Sequence, residues 1–191
     1  MRSETWLNSF IFTVSDFFSI DECNQHIAMG EDIGFEEALV TSERGSVRAA
    51  SLRNNDRVIF KSEQIADWIW DRAEAFVPET FEDRRAVGIN ELIRFYRYEV
   101  GQQFDWHQDF SFERDNGEKS FLTLLIYLND SFEGGETLFD DSCSDESFDD
   151  VIVTPRSGLA LFFEHGTYHK GESVAEGTKY VMRTDVMYEQ I

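Results

Sequence analysis

The run Asp105-Trp106-His107-Gln108-Asp109 sets an imidazole and a carboxylate two residues apart. In an extended chain such residues share a face, about 6.5–7 Å apart. A modest bend after the histidine lets both meet one ion. A histidine and a carboxylate are two of the three ligands of the facial triad that holds non-haem Fe(II) with open positions. Asp105 lies on the same face and is a rival carboxylate. The third ligand must come from far along the chain, where His165 and His169 are both available. Leu159, Leu161, Phe163 and His165 alternate to one face, so His165 also reads as a core residue at a strand end. Spacing alone does not choose between the two. Lys179, Val181, Arg183 and Asp185 share one face of a late strand. A lysine turned into an apolar interior is costly unless an anion compensates it. At a strand edge its ammonium would stay in water.

Positioning these groups needs a frame of strands. From Gly88 on, short runs rich in Ile, Leu, Phe, Tyr and Val alternate with glycine and acidic turns. The predicted strands are 91–100, 103–107, 121–128, 136–139, 151–154, 159–164, 172–174 and 179–188. That punctuation suits a sandwich or jelly roll. The acidic stretch 140–150 lacks the glycine and ligand spacing of a calcium loop and reads as a solvated connection. The first half is mixed. Ser19 and Glu22 form a capping-box pattern, so a helix should run to Gly30 or Gly34 and bury Ile20, Cys23, Ile27 and Met29. His26 on that helix reads as a surface or half-buried residue. Short strands are expected at 35–41, 47–52 and 57–60. Ser62 caps a second helix, 63–77, with Ile65, Trp68, Ile69, Arg72 and Phe76 at helical spacing. The fold class expected is α+β, mainly β: a double-stranded β-helix (jelly roll) core, residues 88–191, with the N-terminal helices of 1–87 packed on one sheet. Together they make one domain, 1–191.

Composition removes several classes of function. The chain has 191 residues, 38 acidic against 17 basic, for a net charge of −21. Such a surface repels phosphate backbones and anionic membranes, so no nucleic-acid or membrane partner is expected. Cys23 and Cys143 are too few for a disulfide framework or a structural zinc site. No leader pattern or apolar span stands out, and the expectation is a soluble, cytoplasmic protein.

The segment from Glu91 onward resembles the prolyl 4-hydroxylase-like members of the 2-oxoglutarate- and Fe(II)-dependent dioxygenases. Arg97-Tyr98-Glu99-Val100-Gly101-Gln102-Gln103-Phe104-Asp105-Trp106-His107-Gln108-Asp109 is similar to the family pattern R-Y-x-x-G-Q-x-[FY]-x-x-H-x-D. Thr123 to Asn129 resembles its next strand, and Phe132-Glu133-Gly134-Gly135-Glu136-Thr137-Leu138-Phe139 its F-x-G-G-E-T-x-F segment. Gly158 to Phe163, then His169-Lys170-Gly171 and Gly177-Thr178-Lys179, complete the match.

The resemblance implies His107, Asp109 and His169 as iron ligands. The family's spacing from distal histidine to basic residue selects His169, ten residues before Lys179, over His165. It implies that Lys179 and Tyr127 hold the distal carboxylate of the co-substrate 2-oxoglutarate and that Tyr98 lines its pocket; Arg183 either touches the co-substrate or pairs with Asp185 or another acidic neighbour. Arg53, Asn54 and Arg57 would border the substrate entrance. Phe95, Phe104, Trp106 and Phe163 are the candidate aromatic lining. Fe(II), 2-oxoglutarate, O2 and ascorbate as reductant would be the cofactors. A peptide or protein side chain, prolyl above all, is the expected substrate; a free amino acid or small metabolite is the alternative. A cupin-like metal protein without oxygenase turnover is a further reading, which the Lys179 spacing disfavours.

Overall fold

The computed structural model describes residues 2–9, 11–38, 40–42, 45–47, 52–141 and 151–191. Residues 142–150 of the expected acidic loop, with Cys143, and residues 48–51 of the expected strand at 47–52 lie outside the described residues.

Period-two alternation builds two interiors on one set of strands. In Lys119–Tyr127, Leu122, Leu124 and Ile126 turn to one core cluster and Leu125 and Tyr127 to another. Ala160–Glu164 does the same with Phe162 against Leu161 and Phe163, and Lys179–Gln190 with Met182 against Val181. The large sheet runs in the order Ser3–Trp6, Ile11–Ser15, Ala160–Glu164, Lys119–Tyr127, Lys179–Gln190, Leu92–Tyr98, Asp56–Lys61, Glu36–Glu37. Arg84–Ile89 joins along the far part of Lys179–Gln190. A smaller sheet is ordered Phe104–His107, Tyr168–Gly171, Thr137–Asp140, Val151–Val153. Residues of both sheets, Tyr96, Tyr127 and Phe163 from the large and Phe139 and Val153 from the small, share one buried cluster. The protein is mainly β, with two α-helices among the described residues, α1 (Ile20–Ile33) and α2 (Glu63–Ala73).

Several local expectations are corrected. Ser19 caps α1 through the predicted box, its hydroxyl accepting from the Glu22 N–H while Glu22 accepts from Ser19. Yet Ile20 and Met29 point to solvent, 58% and 37% exposed. The buried stripe is instead Cys23, His26 and Gly30, spaced by three and four. Gly30 is needed there because a Cβ would sit 3.0 Å from the Phe35 ring. His26 is interior, not superficial: it is 8% exposed, and its ring lies 5.2 Å from Phe18 and 5.4 Å from Trp68. α2 stops at Ala73, four residues early, and the chain turns before Pro78. Several strands carry no expectation from the sequence, among them Ser3–Trp6, Arg84–Ile89 and Phe132–Gly134, and two others matter most for the site. Ile11–Ser15 pairs with Ala160–Glu164, Val14 opposite Ala160, and Tyr168–Gly171 lies at the centre of the site. Position 87/88 falls inside Arg84–Ile89, and strands from both halves interleave in the large sheet.

Candidate metal centre

His107 ends the strand Phe104–His107, and His169 sits in Tyr168–Gly171 as its direct partner across the antiparallel ladder. Directly opposed residues present their side chains to the same side, and the two imidazole centroids are 4.2 Å apart. Asp109 follows His107 by two residues, and its N–H donates to the His165 carbonyl at 3.0 Å. That tether bends the chain back toward the rings. One ligand atom from each of His107, Asp109 and His169 lies within 4.8 Å of the others. The Nε2 atoms of His107 and His169 stand 3.8 and 3.7 Å from the two Asp109 oxygens.

The backbone settles which ring nitrogens face the gap. His107 Nδ1 is 2.7 Å from the Asp105 carbonyl, and His169 Nδ1 is 2.9 Å from the Thr167 carbonyl. A carbonyl only accepts, so each Nδ1 carries the proton and each Nε2 offers a lone pair. Burial, then the facing His169 ring, push His107 down to about 3. Burial lowers His169 as well. Both rings therefore stay neutral, as metal ligation requires. Burial works against ionising Asp109, but Arg183, His169 and His107 outweigh it and hold the carboxyl below the usual carboxylate range. Arg183 lies 3.1 Å from one oxygen, and the Thr123 hydroxyl donates to the other at 2.7 Å. Two neutral imidazoles and one carboxylate on one side of a gap fit a divalent first-row cation with open positions.

His165 does not join this group. It is buried and burial pushes it down to about 4. Both its nitrogens are engaged, Nε2 with Ser120 Oγ at 2.8 Å and Nδ1 with Thr123 Oγ1 at 2.9 Å. Ser120 Oγ accepts from the Phe112 N–H, so its hydroxyl donates to Nε2. Nδ1–H then donates to Thr123, whose hydroxyl is committed to Asp109. The chain of bonds fixes the orientation of the carboxylate from behind. Thr123 and Ser120 were not singled out in the sequence. The signal for Thr123 was its place two residues before Leu125 and four before Tyr127 on the inward face.

The cavity beside the triad is lined by Tyr98, Phe104, Leu125, Tyr127, Lys179 and Arg183, among others. Lys179 is 3% exposed, and its Nζ donates to the Gly135 carbonyl at 2.6 Å. The ammonium lies 5.2 and 5.6 Å from the centroids of Tyr98 and Tyr127. Burial pushes Lys179 down to about 8, against the pull of Glu136. The Gly134-Gly135 pair makes the approach possible. Both have positive φ; a Cβ on Gly135 would press on the Lys179 Cδ at 3.1 Å, and one on Gly134 would lie 2.5 Å from the Ser173 carbonyl oxygen. Tyr127 is fully buried with its hydroxyl 2.6 Å from Thr137 Oγ1. Among the described residues Lys179 is thus an inward cation without a carboxylate in contact, beside two hydroxyls and the triad.

The remaining candidates divide. Asp105 turns its carboxylate away toward Lys170, 3.8 Å distant, and serves His107 only through its backbone. Arg53 is buried, 4.4 Å over both the Tyr96 and Phe104 rings. Asn54 clips the segment before Phe104–His107, accepting from the Gln103 N–H at 2.7 Å. Arg57 stands opposite Tyr96 in the ladder. Of the aromatic set, Phe104 lines the cavity and Phe163 meets His169 edge-on at 4.5 Å. Phe95 belongs to the opposite face, near His26 and Phe60, because it is one residue out of phase with Tyr96. Trp106 stacks on Tyr168 rather than lining the cavity.

Residues 93–184 match the sequence profile of the 2OG-Fe(II) oxygenase superfamily. Probable prolyl 4-hydroxylase 3 of Arabidopsis thaliana is 28% identical over 203 residues, covering 88% of this chain and 66% of that protein. Prolyl 4-hydroxylase 2 of the same plant is 26% identical over 200 residues, covering 88% and 64%. The chain thus spans just under two thirds of the length of these relatives. Among solved structures, the viral collagen prolyl hydroxylase of Paramecium bursaria Chlorella virus-1 superposes with a TM-score of 0.64 at 18% identity, covering 94% of this chain and 96% of that one. The prolyl hydroxylase of Trichoplax adhaerens, solved with a hypoxia-inducible-factor peptide fragment, gives 0.69 at 14%, covering 94% and 84%. A prolyl-4-hydroxylase of Pseudomonas putida gives 0.64 at 14%, covering 93% and 92%. These structures share the fold. The resemblance read in the sequence is met by these comparisons: the chain is similar to prolyl 4-hydroxylases of the 2-oxoglutarate- and Fe(II)-dependent oxygenases.

Proposed function

We propose that this protein is a 2-oxoglutarate- and Fe(II)-dependent dioxygenase that hydroxylates a C–H bond of a prolyl residue in a peptide or protein. The observation that carries the reading is the company of the triad: the buried ammonium of Lys179 opens into the same cavity as His107, Asp109 and His169. A metal-binding barrel without a diacid to hold has no use for that cation, whose burial is costly. Bound ferrous iron supplies the activation of O2, coupled to conversion of 2-oxoglutarate to succinate and carbon dioxide while the substrate gains one oxygen atom.

The chain's own residues do the rest. His107, Asp109 and His169 hold the ion from one side. Lys179 receives the distal carboxylate of 2-oxoglutarate, and the Tyr127–Thr137 hydroxyl pair offers it a hydrogen bond. Tyr98 walls the pocket. Arg183 balances Asp109 and keeps it ionised. Phe104, Leu125 and Val181 exclude water from the reacting groups. Ascorbate serves as the external reductant that keeps the iron ferrous. We read residues 1–191 as one dioxygenase domain and the helices as the backing of the large sheet, since Cys23, Ala66, Ile69 and Ala73 share a cluster with Leu124 and Phe162. The peptide substrate is supported by the relatives, whose names are those of prolyl hydroxylases.

Purified protein given Fe(II), 2-oxoglutarate, ascorbate and proline-containing peptides is expected to release succinate and to yield a peptide heavier by one oxygen. No succinate above the metal-free control would overturn the reading.

A further inference from the structure

In a chain with 38 acidic residues against 17 basic ones, an arginine should find a carboxylate. Arg97 has Glu31 and Asp56 within 3.1 Å, and Arg72 has Glu22 at 2.6 Å. Two arginines behind or beside the cavity wall have none among the described residues. Arg53 lies against Tyr96 and Phe104, both part of the cavity wall, and is 6% exposed. Its Nε donates to Asn55 at 2.7 Å, but its Nη2 is buried without a hydrogen-bond partner. Arg57 is half-buried, and its side chain makes no hydrogen bond or ion pair among the described residues.

Two more guanidiniums stand on the same face. Arg94 and Arg183 are cross-strand partners, and both reach Asp185, at 3.2 and 3.4 Å. Arg183 also meets Asp109. Asp185 and Asp109, the latter a member of the triad, are thus taken up by Arg94 and Arg183, and neither is paired with Arg53 or Arg57. Neighbouring groups register the excess. Burial first, then Arg53 and Arg94, lower Arg57. Burial would raise the Tyr96 phenol, yet Arg183, Arg53 and Arg94 hold it below its ordinary value. Like charges this poorly compensated, two of them (Arg53 and Arg183) with a buried unpartnered nitrogen, are costly to keep together and mark a place where an anion is to arrive.

Resting on the hydroxylase reading above, we infer that the Arg53–Arg57 edge of the cavity is a subsite for a substrate carboxylate, so that the enzyme selects peptides carrying Asp or Glu beside the hydroxylated residue. The net charge of −21 repels such peptides at long range, and salt screens that repulsion. Selection therefore comes from contact, and it is measured at physiological ionic strength.

The test compares a fluorescein-labelled peptide with a central proline flanked by Glu with the same peptide carrying Gln. Both are titrated with the full chain and followed by anisotropy. The Glu peptide is expected to bind about tenfold tighter, the effect of one charge-assisted hydrogen bond. Arg57→Gln is expected to bring the two affinities together. Equal binding by wild type, no binding of either peptide, or a preference that Arg57→Gln leaves intact each overturns the subsite. Succinate release from 2-oxoglutarate reports the hydroxylase reading separately. Succinate formed with indifference to peptide charge sinks the subsite alone. No succinate with any peptide removes the reading on which it rests.

Discussion

The large sheet shows opposite chemistry on its two faces, though the same strands supply both. Leu124, Ile126, Phe162 and Met182 on one face are fully buried and wholly apolar. Each such side chain contributes about 1.5–3 kcal/mol by leaving water. One residue out of phase, the same strands present Thr123, Tyr127, Lys179, Arg183 and Asp185, all buried and polar except for small outlets. These cost stability unless every donor and charge is matched. Lys179 with only a carbonyl, and Arg183 with a buried Nε lacking a partner, are not fully matched. The outer face holds the sheet together, and the inner face uses that surplus to keep reactive groups unsatisfied.

The sharpest way to break this contrast is at the triad. His107→Ala is expected to reduce peptide-dependent succinate formation to background while circular dichroism and the unfolding transition stay near wild type. Full activity would remove His107 from the ion. Lys179→Met comes next. Losing the cation should raise the apparent 2-oxoglutarate constant at least about thirtyfold, the lower end of about 2–5 kcal/mol for a buried charge partner. The same change should raise the melting temperature, because an uncompensated buried charge is gone. A variant that binds 2-oxoglutarate normally would show that another group receives the diacid.

Leu124→Ala reverses the pattern. It should cost about 2–5 kcal/mol in urea unfolding, by cavity formation, with turnover per folded molecule unchanged at low temperature. Thr123→Val is milder, about 10–100-fold in metal affinity by isothermal titration, since it removes the bond that orients Asp109. The smallest effect is on pH. Lys179 is pushed down to about 8, so affinity for 2-oxoglutarate should decline as pH rises past that value. Between about 8 and the ordinary lysine value the unfolded chain holds the proton and the folded one does not. Stability should therefore rise with pH across that window, and Lys179→Met should abolish the rise.

The division between faces also explains what could be read in advance. Period two brought His107, Asp109 and Lys179 forward from local sequence, but it left Asp105 a rival carboxylate and Lys179 free to sit at a strand edge. His169 was not separable from His165 by spacing, since the two differ by contacts with Ser120 and Thr123 from another strand. Motif order made that choice. The strand Tyr168–Gly171 lacks apolar alternation and was missed. Ile11–Ser15 was missed because its partner lies far along the chain at Ala160–Glu164. On α1 the capping box was plain, but Ile20 and Met29 looked buried by type alone. The inward stripe was set by what α1 meets, Phe18, Trp68 and Phe35, none of which the helix's own residues announce.

The opposition of His107 and His169 across a four-residue strand makes the chemistry hostage to counting. Deleting a single residue from Tyr168–Gly171 could leave every rung of the ladder made, because backbone pairing is blind to side chains. Alternation would then exchange inside for outside, and Lys170 would stand where an imidazole is required. Such a deletant would fold, keep its walls, and meet Asp109 with a cation of its own. Length changes are therefore tolerable in the connections but not within that strand.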